Sequence, residues 1–109
     1  MANTFKLKTK ANVGVTTVGI YTAPAATTPV VIGITLANTS GSGVNVGVGI
    51  TRAGTTEDVK LLKNAPIPQG SSLEFMGGNK VVLETTDTIT VDSDTNNSVD
   101  AALTIMEIT

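Results

Sequence analysis

Val30-Val31-Ile32-Gly33-Ile34-Thr35-Leu36-Ala37-Asn38 is followed by Thr39-Ser40-Gly41-Ser42-Gly43 and then by Val44-Asn45-Val46-Gly47-Val48-Gly49-Ile50-Thr51-Arg52. Two runs rich in β-branched residues, each apolar at every second position, flank a Ser/Gly turn, which is the pattern of strands and not of helices. Paired as a hairpin with Asn38 opposite Val44, they set Ile32, Ile34 and Leu36 against Ile50, Val48 and Val46, so the apolar faces match. The same register places Gly33 opposite Gly49 and Thr35 opposite Gly47 on the other face. Glycine inside a strand weakens it, so glycines gathered on one face mark a close approach. A tight fit against the chain's own N-terminal segment and a flat contact with a neighbouring subunit both satisfy that reading.

The two-residue period recurs outward from this pair. A strand over 12–22 carries Val13 and Val15 on one side and Val18 and Ile20 on the other, a change of parity that predicts a bulge or bend at Thr16-Thr17. Pro24 and Pro29 make 23–29 a loop. Glu57 to Asn64 reads as a strand and Ala65 to Gly70 as a loop. Ser71–Met76 and Lys80–Thr85 read as a hairpin about Gly77-Gly78-Asn79, with Phe75 facing Val81 and Leu73 facing Leu83. Thr88–Asp92 and Ser98–Ile108 complete about eight strands. Such spacing predicts an all-β protein, a single small antiparallel β-sandwich of jelly-roll-like or immunoglobulin-like type, spanning 11–109 behind an extended N-terminal arm over 1–10.

Composition narrows the chemistry. At 109 residues and 11.1 kDa the chain holds one domain, and its aromatic content of 3% obliges an aliphatic core. A domain of this size buries only about 60–65% of its extended-chain surface, and oligomerisation is a common remedy for that thin margin. The absence of His and Cys removes Ser-His-Asp and Cys-His nucleophiles, Cys/His zinc sites and disulfides. No cofactor is expected, and an enzyme is not. Asp92-Ser93-Asp94-Thr95-Asn96-Asn97 echoes the start of a calcium loop, but Leu103 stands where a bidentate Glu would close it, so a solvated turn is expected. Glu84, Asp87 and Asp92 offer carboxylates for acid–base work but no aromatic-lined sugar cleft accompanies them. Gly41-Ser42-Gly43 and Met76-Gly77-Gly78-Asn79 join strands and open no helix, so they are turns and not phosphate cradles.

The net charge of -2 is unevenly spread: Lys6, Lys8 and Lys10 lie in the first ten residues, while Arg52, Lys60, Lys63 and Lys80 face nine acids. There is no broad basic face with stacking aromatics, so nucleic acid is not an expected partner. No apolar run of about 18 residues and no signal-peptide core is visible, so no membrane association and a cytoplasmic synthesis are expected. Phe5, Leu7 and Thr9 alternate with Lys6, Lys8 and Lys10, which gives an extended segment one apolar and one cationic side. It reads either as an edge strand charged against aggregation or as a clamp that adds to a neighbour's sheet.

Met1-Ala2-Asn3-Thr4-Phe5-Lys6, Ile20-Tyr21-Thr22-Ala23-Pro24-Ala25, Val31–Thr39, the Pro68-Gln69-Gly70-Ser71-Ser72-Leu73 stretch and the ending Ala102–Thr109 resemble small virion structural proteins of tailed bacteriophages. The regular Lys6/Lys8/Lys10 alternation departs from that pattern. The resemblance implies a phage particle protein, expected to be a capsid decoration or cement protein that binds the major capsid protein or another virion protein in many copies as a homo-oligomer, a trimer being one candidate. The alternatives are a head–tail, tail or fibre-base component and a host-surface binding module. The expected contact residues are Phe5, Lys6, Leu7, Lys8, Lys10, Gly33, Gly47 and Gly49.

Overall fold

The computed structural model describes residues 3–52, 57–75 and 80–109. Among them are nine strands: β1 Asn3–Val13, β2 Val18–Thr22, β3 Thr28–Asn38, β4 Val44–Arg52, β5 Glu57–Ile67, β6 Ser72–Phe75, β7 Val81–Val82, β8 Asp87–Ser93 and β9 Val99–Ile108. The first sheet has the order β1-β9-β3-β6, with β7 also on β3, and the second the order β2-β8-β4-β5; all pairings are antiparallel. Successive strands change sheet at nearly every connection, which is the strand order of a jelly roll. The protein is therefore an all-β sandwich, as the alternation predicts.

The central strands contribute their inward apolar residues to one interior. Val31, Ile34 and Leu36 of β3 and Val99, Ala101, Leu103 and Ile105 of β9 line the first sheet; Val44, Val46, Val48 and Ile50 of β4 and Ile89 and Val91 of β8 line the second. Leu36, Ile67, Leu83, Ile89, Leu103 and Ile105 are among the largest fully buried side chains, so the core is aliphatic, with Tyr21 near its rim.

The expected β3–β4 hairpin does not form. The two strands lie in different sheets, because matched apolar faces can close across a core as well as side by side within one sheet. Asn38 builds the arch between them. Its Nδ2 donates to the carbonyls of Ser42 (2.8 Å) and Ile67 (3.0 Å), and its Oδ1 accepts from the backbone N–H of Ser40 at 2.9 Å and from Ser40 Oγ at 2.7 Å. These bonds satisfy a buried amide and turn the chain from one layer to the other.

The parity change near Thr16-Thr17 has the same origin. β1 ends at Val13 in the first sheet and β2 begins at Val18 in the second, so the inward direction reverses. β6 and β7 are not a facing hairpin either. Both run antiparallel to β3, one after the other, with Phe75 opposite Ile34 and Val82 opposite Val30. The Met76–Asn79 turn lies outside the described residues. The predicted loop at 65–67 is instead strand: β5 continues through Pro66 to Ile67, which the missing N–H permits because β5 is an edge. Asn64, at φ 54°, accompanies the bulge between the Val46 and Val48 pairings.

The N-terminal segment expected as an arm is hydrogen-bonded along its length as edge strand β1, from Asn3 opposite Ile108 to Lys10 opposite Ala101. Truncating Leu103 to Ala removes a fully buried side chain from the centre of the sandwich. Chemical denaturation of Leu103→Ala should show a loss of about 2–5 kcal/mol. Val15→Ala, in the exposed connection between β1 and β2, should stay within about 0.5 kcal/mol of the parent.

Candidate interaction surface

The register of β1 on β9 decides which way its side chains point. Lys6, Lys8 and Lys10 stand opposite Ile105, Leu103 and Ala101, which face the core, so the lysines lie on the inner side of the first sheet. Phe5, Leu7 and Thr9 stand opposite Met106, Thr104 and Ala102 and point outward. The usual apolar-in, polar-out rule is reversed on this strand. Lysine tolerates the inner position because its stem can lie along apolar surface while the ammonium reaches water at the sheet edge.

Glu107 gathers the inner side of β1. The residue is only 7% exposed. Lys6 Nζ lies 3.0 Å from Oε1, the Tyr21 hydroxyl donates to Oε2 at 2.5 Å, and Lys8 Nζ sits 5.9 Å from the centroid of the Tyr21 ring. One carboxylate thus joins β1, β2 and β9. The hydrogen bond from Tyr21, and then that from Lys6, hold the Glu107 carboxyl below the usual carboxylate range. Burial, and next the bond to Glu107, push the Tyr21 hydroxyl above its ordinary value.

The outer side is apolar at one end. Val82, Val30, Met106 and Phe5 are successive cross-strand partners, so they form one row from the β7 edge to the β1 edge without a charge. Phe5 is 68% exposed, Leu7 64% and Val82 58%. The next row holds Leu7, Thr104 and Gly33, and the one beyond it Thr9, Ala102, Thr35 and Glu74. Small residues flatten this region into a shallow groove of about 310 Å³ between Thr9, Thr35, Ala37 and Ala102, ending at Asp100. Asp100 Oδ1 accepts the backbone N–H of Asn12 at 3.0 Å.

The second sheet has a different exterior. Asp92 accepts from Thr17 Oγ1 at 3.0 Å and lies 3.8 Å from Lys60 Nζ, and the Thr22 and Thr88 hydroxyls pair at 2.9 Å. Gly47 and Gly49 are buried beneath this layer: a Cβ on Gly47 would meet Asp92 Oδ1 at 2.7 Å, and one on Gly49 the Val59 carbonyl at 2.9 Å. The close approach that the glycines permit is therefore intramolecular, by bulged β5 and by Asp92. This corrects the expected glycine face. Gly33 lies on the outside of the first sheet and Gly47 and Gly49 on the second, so of the expected contact residues only Phe5, Leu7 and Gly33 share an outer surface.

The acidic turn is used locally. Asp94 Oδ1 accepts from the Asn45 N–H at 3.1 Å, while the Ser93 and Ser98 hydroxyls pair at 2.7 Å. Arg52 bridges Asp87 (3.4 Å) and Glu84 (3.3 Å), whereas Asp92 pairs with Lys60. Among the described residues no three His, Cys, Asp or Glu side chains converge as a metal cluster.

Met106, Val30 and Val82 were missed as surface residues. Their signal was an apolar residue at both parities: β9 carries Ala102, Met106 and Ile108 between its core positions, and β3 carries Val30 and Ile32.

A carboxyl lowered on folding stabilises the fold above its unfolded value, and that contribution is lost as pH falls through the folded value. Acid should therefore loosen β1 before the core. Amide exchange at residues 4–10 should accelerate below about pH 4, the ordinary carboxylate range, and Glu107→Gln should flatten this dependence while Leu103 and Ile105 amides in neutral solution stay protected.

No family model and no curated protein matches the chain. Among solved structures, a subunit from Bacillus endospore appendages, described as a novel family of disulfide-linked pili, aligns with a TM-score of 0.57 at 16% identity, covering 99% of this chain and 87% of the other. The likeness shows a shared sandwich fold. It also overturns the expected assignment as a phage capsid decoration protein: the structure that matches nearly the whole chain is a component of pili.

Proposed function

We propose that this protein is a structural subunit that associates with further copies of itself into a fibre-like, non-covalent assembly through the outer face of its first sheet. The observation that carries the reading is the uncharged row Val82, Val30, Met106 and Phe5, which crosses the whole sheet and ends in two well-exposed side chains. Soluble monomers rarely leave such contiguous apolar area uncovered. The fold likeness to a pilus subunit supports a partner of the same kind.

The chemistry of cohesion would differ from that of the neighbour. This chain contains no cysteine, so disulfides are unavailable and packing has to hold the copies together. Full burial of a Phe, Met or Val side chain contributes about 1.5–3 kcal/mol, and repetition along a polymer turns weak contacts into lasting ones. The reading includes no catalytic role.

Light scattering on the purified chain should show a mass that grows with concentration, and electron microscopy should show extended particles. Met106→Lys, which places a charge in the middle of the row, should weaken association by at least about tenfold, or 1.4 kcal/mol, without lowering the melting temperature measured in protein dilute enough for the parent to be unassembled. A parent chain that stays monomeric at high concentration, or a Met106→Lys chain that assembles normally, would overturn the proposal.

A further inference from the structure

We infer that residues 3–12 of β1 form an exchangeable strand, which in the assembled protein pairs with β9 of a second copy; the inference rests on the self-association proposed above. From Asn3 to Asn12 every side chain of β1 is exposed except the half-buried Lys8, and the first buried one is Val13. The aliphatic interior is thus built by β2 to β9 together with Val13, and residues 3–12 supply a ladder of backbone hydrogen bonds and the Lys6–Glu107 contact. Without β1, the edge of β9 from Ala101 to Ile108 is unpaired and Glu107 loses its lysine. A β1 from another copy would restore the same bonds in the same register, because the sequences are identical.

The joint favours the exchange. Asn12 has φ 58°, in the left-handed region, and sits in the irregularity between the Lys10 and Val13 pairings. Its N–H is spent on Asp100, and the four-residue connection 14–17 must then cross to the second sheet. Gly14 passes so near Asn96 that a Cβ would stand 3.1 Å from its Oδ1. A joint held in the left-handed region beside a short connection is an arrangement in which an extended joint, with the strand handed to a neighbour, competes with folding back.

The partner is a second copy of this chain, and the absence of cysteine makes it directly testable. Thr9 and Ala102 are opposite one another on the outer side, away from the Met106 row. Chains carrying Thr9→Cys and chains carrying Ala102→Cys are mixed, assembled and then linked by mild oxidation or a short thiol cross-linker. Exchange predicts a cross-linked pair containing one chain of each kind, and multimeric ladders from the double variant. Assembled material in which the double variant links only within single chains would overturn the exchange and leave the face-mediated reading standing. Failure of the parent chain to assemble at all would overturn both.

Discussion

The packing of Leu103 and Ile105 against the second sheet sets the direction of nearly everything else in the first. β9 is central there, and once these side chains point inward, Met106 and Ala102 point outward. Antiparallel register carries the choice to both neighbours: Val31, Ile34 and Leu36 of β3 are drawn into the core, while Val30, Gly33 and Thr35 are left outside. On β1 the same choice turns three lysines inward and Phe5 and Leu7 outward. A slip of one residue would place Lys6 and Lys8 outside and Phe5 inside, but Glu107 and Tyr21 at the inner rim favour the observed register by accepting an ammonium and a cation–ring contact.

The two exteriors of the sandwich follow different rules. The outside of the second sheet is a layer of threonines, Asp92 and Lys60 with partners among themselves, and its glycines are filled from above by the protein's own atoms. The outside of the first sheet instead carries the uncharged apolar row from Val82 to Phe5. That asymmetry is the physical reason for reading the molecule as a unit of something larger, because a thin aliphatic domain gains both solubility and stability when the second apolar surface is covered. Strand exchange would add a continuous hydrogen-bonded link to the same cohesion.

The sandwich was legible in the sequence because alternation belongs to each segment alone. Val44 to Ile50 and Val99 to Ile105 announce their buried sides without knowledge of a partner. Pairing was less legible. The matched apolar sides of β3 and β4 fit one sheet or two facing sheets equally well, and the choice rested on Asn38, whose amide bonds reach Ser42 and the distant Ile67. The glycines signalled close approach correctly, but the approaching group, a bulged neighbour strand, depends on tertiary register. Phe5, Leu7 and Gly33 belong to the outer surface; Met106 and Val30 were not legible there because apolar residues on the inner and outer sides of a strand read alike in the sequence. The resemblance to phage proteins rests on strand and turn stretches and carried no role for any residue.

Met106 reports most directly on whether the outer face is covered. Its thioether lies half-buried in the middle of the apolar row, and oxidation to the sulfoxide adds one oxygen that mass spectrometry of the Met106 peptide detects. Brief peroxide exposure across a concentration series should oxidise Met106 readily in dilute protein and progressively less as copies associate. A rate of Met106 oxidation that is the same at every concentration would contradict the account.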